Sequence, residues 1–201
     1  MQYIMRLTSG KSKRDEILNT AYHLFRKKGY HACGLNEILQ ESHAGKSQLH
    51  HYFGSKQDLL REVMQFYAEK VLDETASFMN QIENLNEFEK LIDGSIRLAQ
   101  SGNEIAGCLV GSMCAELALT DEVIRVDISH IFEKWKNLFS KGLTRLQAKG
   151  LLQSDANTDA MAEHFLVSSQ GAFLMAKANK DLSIIRKTIL ESIQYIRSYS
   201  T

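Results

Sequence analysis

The chain contains no proline in 201 residues. Proline fixes the backbone φ angle and lacks an N–H group, and it is common in loops and at strand edges. A long chain without it is most easily built from helices joined by short turns. Twelve glycines and a few clusters of Asn, Asp and Ser are then the residues that end these helices. The absence of proline therefore predicts a helical architecture.

The apolar residues recur at the spacing of one helical face. Between residues 11 and 28, Ile17, Ala21 and Leu24 follow this pattern, and Gly29 is expected to end the helix. Similar segments follow, and none alternates with period two, so we predict an all-α fold of about nine helices without strands. The second predicted helix is a two-turn segment around 35–39, the third spans 46–53, and the fourth is a long helix that Ser55 caps. The fifth runs from about 85 to a break at 101–103, and the small apolar segment 107–119 is the sixth. The last three predicted helices are 120–150, 158–179 and 181–199.

The charge is distributed unevenly although the formal net charge is zero. Residues 1–56 carry nine Lys/Arg and four Asp/Glu, a net charge of +5, which leaves −5 for residues 57–201. Five of the seven histidines also lie in the first part. A basic first part and an acidic remainder suggest that only the first part meets a polyanion such as nucleic acid. A chance distribution is the alternative.

The first three predicted helices have the arrangement of a helix-turn-helix motif, because a four-residue turn, 42–45, joins the second to the third. We expect Ile38, Leu39, Leu49 and Phe53 to pack the second helix against the third. Polar side chains near the start of the third helix suit base reading, since lysine donates to guanine and glutamine pairs with adenine. The candidate base contacts are Lys46, Ser47, Gln48 and His50, and the candidate phosphate contacts are His51, Tyr52 and Lys56.

This region resembles the DNA-binding domain of the tetracycline-repressor (TetR) family. The matching run extends from Lys11 to Leu60, with Gly29-Tyr30 and the 46–53 segment at the family's spacing. Segments 107–117 and 170–172 resemble one multidrug-sensor branch of the family. The resemblance implies an all-helical homodimer with an N-terminal helix-turn-helix DNA-binding domain, 1–56, and a C-terminal ligand-binding and dimerisation domain, 57–201. It further implies a sequence-specific transcriptional repressor that a small apolar or aromatic ligand releases from palindromic double-stranded operator DNA.

The three cysteines indicate a reducing cytoplasm, because they are too few and too scattered for a disulfide scaffold. Cys108 and Cys114 lie six residues apart, which is not a zinc-binding spacing. We expect them to pack in the core, with a redox switch as the alternative. Cys33 and Gly34 stand where the TetR family commonly has threonine or serine. No apolar stretch reaches the ~18–20 residues of a membrane-spanning helix, so no membrane contact is expected.

Other chemistries fit the sequence less well. Segment 44–47 resembles the end of a phosphate-binding P-loop, but Gln40 stands where that motif needs glycine and no strand precedes it. The adjacent His50 and His51 point about 100° apart on a helix, so they do not chelate one metal together. No nucleophile–base pair or paired carboxylates occur at a persuasive spacing. We therefore expect no cofactor, no metal and no enzymatic activity, and the alternative function is a helical small-molecule carrier or enzyme without DNA linkage.

The C-terminal part contains two further sets of candidates. Apolar side chains with a few polar anchors form ligand sites, although the same residues are also typical of an ordinary core. The last two predicted helices carry apolar faces that suit either a four-helix dimer interface or an intramolecular core. The ligand candidates are Met113, Trp135, Phe139, Ser169, Gln170 and Phe173. The dimer candidates are Phe165, Ala172, Ala176, Ile185, Ile189, Ile193 and Ile196.

Overall fold

The computed structural model describes residues 12–101 and 104–201, and it confirms the all-α prediction. A 3₁₀ helix, Leu85–Glu89, precedes the fifth of the nine α-helices in these ranges. The predicted start of the first helix at Lys11 lies outside the described residues. The α-helices are α1 Lys13–Lys28, α2 Leu35–Glu41, α3 Lys46–Phe53, α4 Lys56–Gln81, α5 Lys90–Ala99, α6 Leu109–Leu117, α7 Glu122–Ala148, α8 Thr158–Asn179 and α9 Ser183–Arg197.

Helix α1 has Ser12 as its N-terminal cap and ends at Gly29, the end that its sequence predicts. Ser12 accepts a hydrogen bond from the Asp15 backbone N–H at 3.2 Å, which satisfies one of the free donors of the first turn. Acidic residues lie in the first turn and basic residues in the last, as the helix dipole favours. Gly29 ends the helix with a φ of 82°, and its N–H donates to Phe25 O at 2.9 Å.

A two-residue antiparallel pair follows α5, so the prediction of a fold without any strands is wrong at this point. Strand β1, Gln100–Ser101, pairs with β2, Glu104–Ile105, with Gln100 opposite Ile105. Strands this short cannot show a period-two pattern, so no signal for them exists in the sequence. Residues 102 and 103, in the predicted break, lie outside the described residues.

The described residues form two compact units. The first contains the described residues up to Glu69 together with Leu109–Ile128, and the second contains Lys70–Cys108 and Ser129–Thr201. Helices α4 and α7 each contribute residues to both units, whereas α6 belongs to the first. The predicted boundary at residues 56 and 57 stays a prediction, and nothing in the sequence suggested that α6 joins the three N-terminal helices.

The core of the first unit holds the second and third helices together. Ile38, Leu39, Leu49 and Phe53 are all buried, as predicted for the residues that brace α3. Burying each such side chain contributes roughly 1.5–3 kcal/mol relative to leaving it exposed. α3 has only eight residues, so this packing, rather than helix propensity, determines where it lies.

The second unit is built mainly on the packing of α8 against α9 and of α9 against α5. Four isoleucines of α9 recur at helical spacing and are at most 1% exposed: Ile185, Ile189, Ile193 and Ile196. Phe88 is fully buried, with its ring centroid 5.8 Å from that of Phe139. Among the described helices, none combines the length and the apolar character needed to cross a bilayer.

Candidate nucleic-acid interface

Helix α3 buries one face and leaves its polar side chains exposed. Leu49 and Phe53 are 1% and 5% exposed and lie one turn apart on the buried face. The remaining positions, apart from half-buried Tyr52, are exposed. Lys46 has no ion-pair partner among the described residues. The structure thus places six predicted contacts on one short helix, and five of them are exposed: Lys46, Ser47, Gln48, His50 and His51.

Gln48 also caps the start of α3. Gly45, at the cap position, has no side chain, and Gln48 Oε1 accepts a hydrogen bond from its backbone N–H at 2.9 Å. This is one half of the reciprocal hydrogen bonding of a capping box. The carbonyl of the Gln48 amide is therefore used within the protein, while its NH₂ group keeps two donors for a base or a phosphate oxygen.

Replacing Gln48 by glutamate is expected to separate capping from DNA contact. Glutamate keeps an oxygen for Gly45 and favours the helix dipole, so the melting temperature should not fall. It also loses the NH₂ donors and adds a negative charge beside the DNA, so the affinity for DNA should fall at least tenfold, about 1.4 kcal/mol. Gln48→Ala is the matched control, because it loses both roles and should lower the melting temperature as well. Unchanged DNA binding by the glutamate variant would contradict a contact at Gln48.

The end of α3 is organised by its histidines and aromatic rings. His50 Nδ1 lies 2.8 Å from Gly54 O, the distance of an N–H donated to that carbonyl. The ring is thereby fixed at the last turn, with Nε2 left as its outward polar atom. The half-buried Tyr52 packs edge-on against His51, with ring centroids 5.2 Å apart. His50 and Tyr52 are thus held in place before any DNA contact forms.

Lys56 is engaged inside the first unit. Its Nζ donates a hydrogen bond to Tyr30 O at 2.6 Å and lies 4.2 Å from the centroid of the Tyr30 ring. The side chain is half-buried. The predicted contact between Lys56 and phosphate stays a prediction, and in the structure this lysine first connects the start of α4 to the turn between α1 and α2.

Cys33 does not replace the hydroxyl that the TetR family commonly has there. Its side chain is fully buried, and this burial raises the pKa of the thiol. A buried, protonated thiol offers neither the exposure nor the donor strength that a phosphate contact needs. Cys33 is therefore a small apolar side chain of the core. Cys108 is also buried and Cys114 half-buried, so the predicted core packing fits both.

The second unit contains a cavity of about 280 Å³ with mainly apolar walls. Phe139 and Phe165 stack in it, with ring centroids 4.4 Å apart and 12° between the planes. Phe165, assigned from the sequence to a dimer interface, thus lies at the cavity. Met113 does not line it, because that side chain is fully buried within the first unit. Five predicted ligand-site residues do line it: Trp135, Phe139, Ser169, Gln170 and Phe173.

The polar groups of this cavity are few and differ in their availability. Ser169 Oγ donates to Phe165 O at 2.6 Å, so it satisfies its own helix. Gln170 is half-buried, and because its amide has no hydrogen-bond partner within residues 12–101 and 104–201, it can offer a donor and an acceptor to a ligand. Three exposed charged residues also line the cavity, Glu74, Lys90 and Arg97, and Lys90 pairs with Glu87 at 2.7 Å. A mainly apolar site with a few polar groups is typical of small-molecule binding.

The remaining dimer candidates are buried within the single chain. Each is at most 3% exposed, which matches the intramolecular alternative for this apolar face. The other side of α8 has a different character, because Val167, Leu174 and Met175 are 64%, 66% and 52% exposed. Together with the exposed Gly171 they lie at the helical spacing of one stripe. We call these four residues the outer α8 face. The candidates inside the chain are Ala172, Ala176, Ile185, Ile189, Ile193 and Ile196.

Two parts of the chain match the models of known families of transcriptional regulators. The tetR family of bacterial regulatory proteins matches residues 17–63, and the C-terminal domain of LmrA/YxaF-like transcriptional regulators matches residues 85–189. The HTH-type transcriptional regulator YxaF of Bacillus subtilis is 29% identical, over 87% of this chain and 90% of that protein. The transcriptional regulator AcuR of Cereibacter sphaeroides is 30% identical, over 75% of this chain and 70% of that protein.

A solved structure agrees with the fold. The TetR family regulator CifR, a cysteine mutant in complex with 26-bp double-strand operator DNA, superimposes with a TM-score of 0.79. The two chains are 21% identical, and the match covers 90% of this chain and 94% of CifR. Both domains predicted from the sequence, the N-terminal reader and the C-terminal helical part, thus have matches in the same family. The chain belongs to the TetR family of helix-turn-helix transcriptional regulators.

Proposed function

We propose that this protein is a dimeric repressor, acting in the bacterial cytoplasm, that a small apolar or aromatic ligand releases from a palindromic operator. The observation that carries the proposal is α3, which presents its polar side chains outward while Leu49 and Phe53 fix it from within. Such a helix suits the major groove, which accepts an α-helix and displays a distinct pattern for each base pair. The family has DNA binding, not catalysis, as its activity.

The outer α8 face is the surface that we assign to dimerisation. Three large apolar side chains on one stripe of a helix are costly to leave in water, and burying them against a second copy removes that cost. Gly171, in the middle of the stripe, has no atom within 4 Å of where a Cβ would lie, so there is room for close approach of another helix. A two-fold dimer places its reading helices about 34–36 Å apart, one turn of DNA.

The cavity in the second unit is the site that we assign to the ligand. Release from DNA requires that the ligand bind the DNA-free conformation more tightly than the DNA-bound one. By linkage, operator DNA must then weaken ligand binding by the same factor. The stacked Phe139 and Phe165 favour a flat apolar molecule, and the Gln170 amide favours a ligand with a neutral polar group.

Selection from genomic DNA tests the DNA-binding part of this proposal. Purified protein is incubated with fragmented DNA of its source organism at physiological salt, and the retained fragments are sequenced. We expect enrichment of one near-palindromic sequence, with a specific Kd of about 10⁻⁸–10⁻¹¹ M. Uniform retention would indicate electrostatic, sequence-independent binding only. In that case the carrier without DNA linkage becomes the better description.

Trp135 makes ligand binding directly measurable. It is the single tryptophan of the chain and lines the cavity. We expect aromatic compounds that release the operator to change the Trp135 emission over the same concentration range, because each molecule would lie against the indole. The Trp135→Phe variant is the control, since it should lose the signal and keep ligand-dependent release. Compounds that release DNA without altering the emission would place the ligand elsewhere.

A further inference from the structure

The turn between α1 and α2 is held at two adjacent peptide groups by two charged side chains of the first unit. Glu116, on α6, accepts hydrogen bonds from the backbone N–H groups of Tyr30 at 2.8 Å and His31 at 2.6 Å. Lys56 holds the Tyr30 carbonyl at 2.6 Å. We call Glu116, Lys56 and the Tyr30–His31 backbone the Tyr30 clamp. Its partners come from positions 86 and 26 residues away from Tyr30 in the sequence.

The backbone beside the clamp is shaped for the Glu116 carboxylate. A Cβ at Gly29 would lie 2.7 Å from Glu116 Oε2, closer than a carbon and an oxygen approach without a bond between them. Gly29 also has a φ of 82°, in the region that glycine tolerates best. Glycine at this position therefore both ends α1 and makes room for the carboxylate.

The clamp has a direct path to the reading helix. Its turn leads into α2, whose Ile38 and Leu39 brace α3 from within the core. The ion pair between Lys28 and Glu37 holds the end of α1 to α2. Hydrogen bonds to a charged acceptor are about twice as strong as neutral ones. Glu116 accepts two of them, so it holds α6 against the helix-turn-helix motif more strongly than apolar contacts alone.

We propose that Glu116 is a positioning residue for operator recognition, because the Tyr30 clamp fixes where α3 is held relative to α6. This inference rests on the proposed function. In a dimer, the separation of the two reading helices decides which spacing of operator half-sites fits. Loss of the Glu116 hydrogen bonds leaves α3 able to bind bases but less strictly placed. The Tyr30 clamp is thus what allows the dimer to discriminate between operators with different half-site spacings.

The Glu116→Gln variant tests this inference, since the amide has one acceptor oxygen and carries no charge. Operators with the selected spacing, and with one base pair added or removed at the centre, are titrated with wild type and variant. We expect the variant to bind the selected operator roughly tenfold more weakly and to lose most of its preference over the altered spacings. Amide exchange at Tyr30 and His31 should become faster. The matched control is Glu122→Gln on α7, whose exposed carboxylate pairs with Arg125.

Different outcomes separate this inference from the function on which it rests. An equal loss of affinity for all spacings, or an unchanged preference, would show that Glu116 contributes to stability only and would overturn the inference. If Glu116→Gln fails to fold, Glu116→Asp keeps the charge but withdraws the carboxylate by one methylene from the Tyr30 and His31 N–H groups, and it should relax the spacing preference in the same way. Wild-type protein that enriches no operator would instead overturn the proposed function.

Discussion

Replacing Lys46 by methionine is expected to weaken operator binding more than any other single change on α3. Lys46 is the first residue of α3, is exposed, and has no ion-pair partner among the described residues. Its ammonium group is free to donate to a guanine edge or a phosphate. Loss of such a contact costs about 1–3 kcal/mol, and a dimer loses two of them. The resulting 2–6 kcal/mol corresponds to a roughly 30-fold to 10⁴-fold increase in Kd.

The same variant distinguishes a base contact from a phosphate contact. Methionine keeps the length of the side chain, and an exposed substitution of this kind changes stability by about 0.5 kcal/mol or less, so reduced binding would not reflect unfolding. A base contact predicts relaxed preference at one operator position, whereas a phosphate contact predicts equal weakening on all sequences. Lys141→Met, an exposed lysine of α7, is the control for general loss of positive charge. Wild-type affinity in the Lys46 variant would exclude Lys46 from the interface.

The helix-turn-helix motif could be predicted from the sequence because its determinants are local. Ser12 and Gly29 define the ends of α1 with adjacent residues, and the apolar spacing within seven or eight residues identifies α2 and α3. The spacing of four between Leu49 and Phe53 places both on one face of α3, and both are buried. The ends of a helix and the position of its apolar face depend on residues close together in the chain. A sequence shows these residues directly.

The partners of these helices could not be predicted in the same way. Glu116 reaches Tyr30 across 86 positions, and a glutamate near the end of a helix gives no sign of a distant backbone partner. The apolar pattern that places Phe165 on an inward face does not say whether that face meets a cavity, a core or a second copy. The four isoleucines of α9 named as dimer candidates carry the same ambiguity, and only the packing against α8 shows that the single chain buries them.

Replacing Leu174 by glutamate is expected to dissociate the dimer. Most of the affinity for the operator should be lost as a result. Leu174 is 66% exposed in the single chain, so the charge costs the monomer little. On the outer α8 face of a dimer, the same carboxylate would be buried without a partner, a strongly unfavourable arrangement. Two reading helices on one dimer bind as a linked pair, and loss of the link lowers the affinity by roughly 10²–10⁴-fold. Sedimentation and operator titration measure the two effects on the same sample.

The control for this variant is Asn137→Glu, which adds the same charge at an exposed position of α7. It should remain dimeric and bind DNA as the wild type does. The unfolding temperature of the Leu174 variant should become independent of protein concentration, because a folded monomer no longer gains stability from association. A variant that stays dimeric at micromolar concentration would move the interface away from the outer α8 face. A monomer that keeps full operator affinity would show that recognition needs only one reading helix, which would remove the reason for a palindromic operator.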